Sequence, residues 1–287
     1  MKSILIAAYN EEKGIAKCID SILPQLALTD EIIVVSSGST DKTNDIVLGM
    51  PDERIRLIVQ KERKGKASAI NLGVRKAKGE VIVQTDADVE LNKKAIEHLM
   101  FAFDFKDADA VSGCPMPIIN DSNLFYDWTI MSYSKMDELR KKEDKEGIFW
   151  HLCGYLLAFK KSAYKEIPED KKGAIDAWMG KLMKDNGAKI VYAPYALVYV
   201  KAPLTIKDFI AQKARVRAGF SALPNMPRTA SSEMKSFPKE FLKVPTWRKH
   251  KFIYCAFVYL WSWIKGKWMA KTNKPLNYIW RVPESTK

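Results

Sequence analysis

The sequence predicts an α/β protein in which helices cover both faces of an open, mostly parallel sheet, with a basic, aromatic helical extension at the C-terminus. Three observations carry this. Short β-branched runs alternate with longer stretches at helical spacing between Lys2 and Thr85, the alternation expected of a parallel sheet covered by helices. Polar residues gather at the ends of those runs, where such sheets bind ligands. The excess positive charge lies wholly in the last third: residues 201–287 hold 18 Lys and Arg against 4 Asp and Glu, out of 47 and 34 in the chain.

Residues 2–8, KSILIAA, form the first predicted strand. Its apolar part, Ile4 to Ala8, is too short for the hydrophobic region of a signal peptide. Ile15, Cys18, Ile19, Ile22 and Leu23 then recur at helical spacing. Asn10 is the expected N-cap, Glu11 and Glu12 fall in the first turn, and Pro24 stops the helix. EIIVVSSGSTDKT supplies a second strand, Ile32 to Val35, a polar turn around Gly38, and a helix opened by Ser39 or Thr40. The third unit is a strand, Ile55 to Val59, and a helix through Ala67, Ile70, Asn71 and Val74, entered by the turn Lys64-Gly65-Lys66. Val81 to Thr85 make the fourth strand, which runs straight into Asp86-Ala87-Asp88. Beyond Gly113 the pattern loosens: residues 148–160 suggest a strand pair or a strand and loop, Asp176 to Met183 a helix, and 188–200 two short strands around Pro194.

Two carboxylates two residues apart at a strand end can face one cation where the chain bends. Hard oxygen ligands suit Mg2+ or Mn2+, and a site with one or two protein carboxylates completes its shell with water and substrate phosphates. The alternative is a solvated turn in which Asp88 caps a helix starting near Asn92. Asn10 and Glu11 carry the same double reading, as a helix cap and first-turn acid or as groups facing a nucleotide. Lys64 and Lys66 are either solvated loop charges or phosphate contacts, and Arg215 and Arg217 either site residues or part of the basic tail. Trp150 and His151 fit a core pair better than an acceptor floor.

AAYNEE (7–12), VVSSGSTDKT (34–43), KGKASAINLG (64–73) and IVQTDADV (82–89), in this order and spacing, resemble the nucleotide-sugar-binding half of family-2 glycosyltransferases. GAIDAWMGKLMKDNGAKIVYAP (173–194) is similar to that family's ED segment and the strand after it, and QKARVRAG (212–219) to its QxxRW motif. The likeness covers residues 1–220. It implies a GT-A catalytic domain there and an inverting displacement from a nucleotide-sugar donor. By the same likeness, Ala8, Tyr9, Asn10, Glu11, Ser37, Lys66, Asp86 and Ala87 would contact the donor. Asp88 with Asp86 would hold Mg2+ or Mn2+, Asp176 would be the general base, and Gly154, Gln212 and Arg215 would face the acceptor or the diphosphate. Three positions depart from the family pattern. Ile175 replaces the acid before Asp176. Ser36 and Ser37 replace two acids associated with a uracil contact, so a UDP carrier is not implied. Val216 replaces the tryptophan associated with processive synthases, so repeated addition is not implied either.

The four cysteines, Cys18, Cys114, Cys153 and Cys255, stand singly, which predicts neither a zinc site nor a disulfide framework and fits a reducing, cytoplasmic setting. Residues 221–287 form the expected basic extension. Its segment 252–264 has thirteen uncharged residues, short of the roughly 20 that span a bilayer. It holds Phe252, Tyr254, Phe257, Tyr259, Trp261 and Trp263 between RKHK (248–251) and Lys265, Lys267 and Trp268, a composition suited to a helix at the headgroup level of a membrane. Packing on the core and partial insertion are the alternatives. The expected partners are a nucleotide-sugar donor, a lipid-linked or cell-envelope glycan acceptor and an anionic membrane surface, with the protein held peripherally at the inner face of the cell membrane. A nucleotidyltransferase would carry a glycine-rich loop after the first strand, which AAYNEE lacks. A nucleic-acid-binding protein would carry a zinc-finger, RRM or KH signature, and none is found, so no nucleic acid is expected.

Overall fold

The computed structural model describes residues 1–170, 173–221, 223 and 230–272, apart from the side chains of 230–236. The chain divides into two compact units: Met1–Met116, Arg140–Lys171 and Ile175–Val200 form one, and Pro117–Leu139, Lys172–Ala174 and Lys201–Lys287 the other. Of the expected extension, residues 222, 224–229 and 273–287 lie outside the described residues.

In the first unit, β1 (Lys2–Ala8), β2 (Glu31–Ser37), β3 (Ile55–Gln60) and β4 (Val81–Asp86) lie parallel in the order β3-β2-β1-β4. Ile4, Leu5, Ile6, Ile32 to Val35, Ile82 and Val83 have no exposure, which is why these strands read as near-continuous apolar runs. The helices α1 (Ile15–Ile22), α2 (Thr43–Leu48) and α3 (Lys66–Lys76) connect them. A Cβ on Gly73 would lie 2.1 Å from Leu5 Cδ1, so glycine lets α3 press closely on β1. The register sets Ala7 opposite Asp86, Ala8 opposite Ser36 and Ser37 opposite Gln60. The polar residues that end each strand therefore share one edge.

The other half of the sheet is antiparallel where its pairing is defined. The remaining elements of this unit are β5 (Val89–Leu91), α4 (Ala95–Phe105), β6 (Ala110–Ile118), α5 (Tyr126–Lys145), β7 (Leu156–Lys160), α6 (Ile175–Asp185) and β8 (Ile190–Lys201). Helix α5 begins in the second unit. The eight described strands run β3-β2-β1-β4-β7-β6-β8-β5, with antiparallel pairing at β4–β7, β7–β6 and β8–β5.

Four local expectations are corrected. Asn10 does not cap α1: the helix starts at Ile15 behind Gly14, and the Glu11 carbonyl accepts from the amides of Gly14 and Ile15. Helix α2 opens at Thr43, not at Ser39 or Thr40, because Asp41 draws the Thr43 amide and hydroxyl into a local turn first. Asp88 caps no helix near Asn92, since the chain continues into β5 and α4 starts only at Ala95. Residues 190–201 form one strand through Pro194; on the β5 side pairing is confined to Val198–Val200, so the missing proline N–H removes no bond there.

The second unit holds α7 (Ile206–Ser221), α8 (Ala230–Lys243) and α9 (Lys249–Lys271) with the first part of α5. Phe125, Trp128, Phe209, Val244, Phe252 and Cys255 form its core, and the rings of Phe125 and Phe209 stack at 4.4 Å. A Cβ on Gly266 would lie 2.7 Å from Arg217 Cβ and 2.8 Å from the Ala214 carbonyl oxygen, so α7 and α9 meet backbone to backbone. Arg248 anchors the start of α9: its Nε lies 2.9 Å from Asp127 Oδ2, a second nitrogen donates to the Asp121 carbonyl, and its guanidinium sits 4.7 Å from the Tyr126 ring centre. No described helix is long and apolar enough to cross a membrane. All four cysteines are buried, and none is in a disulfide.

Candidate active site

The loops after β1, β2 and β3 are tied together by hydroxyl and amide groups. Asn10, at φ 54°, accepts a 2.8 Å bond from the Thr40 amide on Oδ1, and its own amide donates to Ser39 Oγ at 3.1 Å. The Glu11 amide donates to Thr43 Oγ1 at 2.8 Å. Ser37 Oγ accepts from the Lys64 amide at 3.1 Å, and Ser36 Oγ bonds Ser39 Oγ at 2.9 Å. Gly38 has φ 71°, and a Cβ there would lie 2.5 Å from the Arg63 nitrogen. Both conformation and space therefore demand glycine. The Arg63 guanidinium lies 4.0 Å over the Tyr9 ring, so the β1 and β3 loops close against each other.

At the end of β4, Lys66 Nζ pairs with Asp86 Oδ1, and each side chain is about a fifth exposed. Burial alone would depress the Lys66 ammonium. The charges of Asp86, Asp176 and Asp88 outweigh it and raise its pKa. Beneath the turn, Cys18 Sγ donates to the Asp86 carbonyl at 3.3 Å. Its thiol is pushed well up, first by burial, then by Asp88, Asp86 and Glu11. Gly14 lets this turn approach α1, since a Cβ there would lie 3.0 Å from the Ala87 carbonyl oxygen and 3.1 Å from Asp88 Cα.

Asp176 stands in the first turn of α6, entered through Gly173 and Ala174 at φ 70° and 45°. Its Oδ2 accepts from the Gly154 amide at 3.1 Å, and a Cβ on Gly154 would lie 3.4 Å from Asp176 Cβ. Gly180 admits the loop before Gly154, since a Cβ there would lie 2.4 Å from the Trp150 carbonyl oxygen. The buried Arg140 lies beside the Cys153 side chain and 5.7 Å from the Tyr192 ring centre. His151 is buried with its ring 5.8 Å from that of Trp150. Asn71, inside the KGKASAINLG string, faces no ligand edge. Its amide nitrogen donates to the Ile167 carbonyl at 2.8 Å, and its oxygen accepts from the Ile167 amide and the Tyr164 hydroxyl at 3.0 and 2.6 Å.

The family profile described as glycosyl transferase family 2 matches residues 3–168, more than half of the chain. The chain belongs to glycosyl transferase family 2. A relative of this family-2 glycosyltransferase is the glycosyltransferase GlyG of Streptococcus pneumoniae, 38% identical over 113 residues, 39% of this chain and 38% of that protein. Another is poly-beta-1,6-N-acetyl-D-glucosamine synthase of Staphylococcus aureus, 25% identical over 263 residues, 90% of this chain and 64% of that protein. The chain thus spans less than two thirds of the length of these curated relatives. Among solved structures, mannosyltransferase PcManGT from Pyrobaculum calidifontis, in complex with GDP-Man and Mn2+, superposes with a TM-score of 0.65 at 21% identity, over 96% of this chain and 75% of that one. S. aureus TarS in complex with UDP-GlcNAc gives 0.54 at 15% identity, over 95% and 92%. The fold of this family-2 enzyme is the GT-A fold.

In this family-2 glycosyltransferase, the residues expected from the sequence fall in three places. Ala8, Tyr9, Asn10, Glu11, Ser37, Lys66, Asp86, Ala87 and Asp88 line the edge where β1, β2 and β4 end. Asp176 and Gly154 meet each other, and Asp176 acts electrostatically on Lys66. Gln212 and Arg215 lie half-buried on α7 in the second unit. Sequence reasoning missed Gly14, Cys18, Ser39 and Arg63. Gly14 left a local trace, as a small residue where a helix begins; Cys18 and Arg63 act through partners distant in sequence, and Ser39 through the distant Asn10 as well as the nearby Ser36.

Proposed function

We propose that the chain transfers a sugar from a nucleotide-sugar donor to a hydroxyl of a lipid-linked or cell-envelope glycan, with inversion at the anomeric carbon. The observation that carries this reading is the electrostatic grouping of Lys66 with Asp86, Asp88 and Asp176 at the carboxyl edge of the parallel strands. The bound GDP-Man of PcManGT and UDP-GlcNAc of TarS support a donor of that class. Ser37 would act on the nucleoside through the loop it holds, since it is fully buried and its hydroxyl accepts from the Lys64 amide.

Asp86 and Asp88 would hold a divalent cation, Mg2+ or Mn2+. The donor set is all hard oxygen, of the kind such cations take, and two carboxylates leave the rest of the shell to diphosphate and water; Asp86 Oδ1 also pairs with Lys66 Nζ, which leaves Asp86 Oδ2 and Asp88 for the cation. Such a cation supplies positive charge against the leaving diphosphate. Lys66 adds a second positive charge at the same edge. Asp176, oriented through Oδ2 by the Gly154 amide, takes the proton of the acceptor hydroxyl as that oxygen bonds the anomeric carbon. The bond to the diphosphate breaks on the opposite side of the sugar, which inverts the centre. Family membership favours this over the nucleotidyltransferase and nucleic-acid readings.

The test is release of nucleoside diphosphate from a panel of UDP-, GDP- and dTDP-sugars with Mn2+, Mg2+ or chelator. Asp176→Asn should lower turnover by roughly 10²-fold or more with donor binding kept. Asp88→Asn should abolish cation-dependent donor binding with the fold intact. Near-normal turnover in the first variant, or unchanged donor affinity with and without Mn2+ in the second, would remove that residue from the mechanism.

A further inference from the structure

We infer that α9 lies flat on an anionic lipid surface, through a face distinct from the one it packs on the core. On a helical projection, Ile253, Tyr254, Phe257, Leu260, Trp261 and Ile264 fall within an arc of roughly 120° and a length of about 16 Å. Each is at least 40% exposed, and Phe257 and Trp261 reach 66% and 60%. The buried residues Phe252, Cys255, Ala256, Val258, Ser262 and Gly266 occupy the opposite side. An exposed apolar stripe this continuous calls for a cover.

The flanks say what kind of cover. Lys249 and Lys267 fall on one margin of the stripe, Lys251 and Lys265 on the other, and α9 holds no Asp or Glu. Long basic side chains beside an aromatic stripe can reach lipid phosphates while the rings settle at the acyl boundary. A second copy of the chain is a poor fit. A two-fold contact would set this stripe against itself and bring the lysine margins together, a like-charge arrangement with no acid on the helix to relieve it. An anionic headgroup layer offsets the same charges. This inference goes beyond the transferase reading and rests on none of its residues.

The test is co-sedimentation of the full chain with vesicles of phosphatidylcholine alone and with added phosphatidylglycerol. Binding is expected on the anionic vesicles at low salt. It should weaken as salt rises, yet persist in part, because salt screens the lysines and leaves the apolar stripe untouched. Phe257→Ser with Trp261→Ser, both at exposed positions, should cut the partition coefficient by about tenfold or more. Donor binding measured in the same preparation should not change, which separates failure here from failure of the proposed reaction. No binding to anionic vesicles at low salt, complete release by moderate salt, or unchanged binding of the double variant would overturn the inference. So would a dimer that the double variant converts to monomer without altering vesicle binding.

Discussion

Lys66 stands where burial and three carboxylates pull in opposite directions, and the carboxylates prevail. Its pKa is raised, so the ammonium keeps its charge through neutral and mildly alkaline pH; substitution, not titration, is the way to remove it. Lys66→Met keeps the length and loses the charge. Asp86 then has no counter-charge from this position, and a diphosphate entering the edge meets more negative potential. Donor affinity should fall on the order of tenfold, measured by titration calorimetry, and an unchanged affinity would place Lys66 outside the donor site. The place of Lys66, Asp86 and Asp88 at the strand ends was legible because strand, turn and charge sit together in the chain. Cys18 was not: its thiol donates to a carbonyl 68 positions away, and nothing around it in sequence distinguishes it from an ordinary apolar helix position.

At the scale of elements, closeness of approach matters more than hydrogen bonding. Gly14 has an ordinary φ of −111°, so its constraint is space alone, and the obstructing atoms are backbone of the Asp86-Ala87-Asp88 turn. Gly187 is the reverse case, with φ 82° and nothing within 4 Å of an added Cβ. Gly14→Ala should therefore displace the turn and weaken cation-dependent donor binding. Gly187→Ala should cost about 1 kcal/mol of stability through conformation and leave binding untouched. Equal effects of the two on binding, after correction for stability in urea titrations, would refute this division. The parallel half was legible because its strands are local and because β1, β2 and β4 are buried on both faces. The antiparallel half was not, because β7, β6 and β8 find their neighbours across long separations and Pro194 imitates a break.

Across the whole molecule the four thiols form a common reporter. Cys18 and Cys255 have no exposure and Cys114 and Cys153 4% each. Burial pushes up the thiols of Cys18 and Cys153, and pushes Cys255 up to about 12, with Asp127 adding to the rise. The folded state thus holds these protons more tightly than the unfolded chain. Their contribution to stability is complete below the ordinary thiol value of 9.0 and is lost as pH climbs towards 12. Native protein at pH 8 should resist a thiol reagent that labels all four cysteines in guanidinium, and Cys255→Ala should flatten part of the stability loss above pH 9. Fast labelling of the native protein would contradict the burial. The charge of the last third was legible from counting alone, but which face of α9 carries it required the helix to be built. One pairing bears on how the chain is made. Asp88 leads directly into β5, whose partner is β8, Val89 opposite Val200, whereas β1 to β4 pair among themselves within the first 86 residues. A nascent chain can assemble the carboxyl edge of its parallel strands early in synthesis, yet the aspartate turn stays open on one side until β8 has left the ribosome.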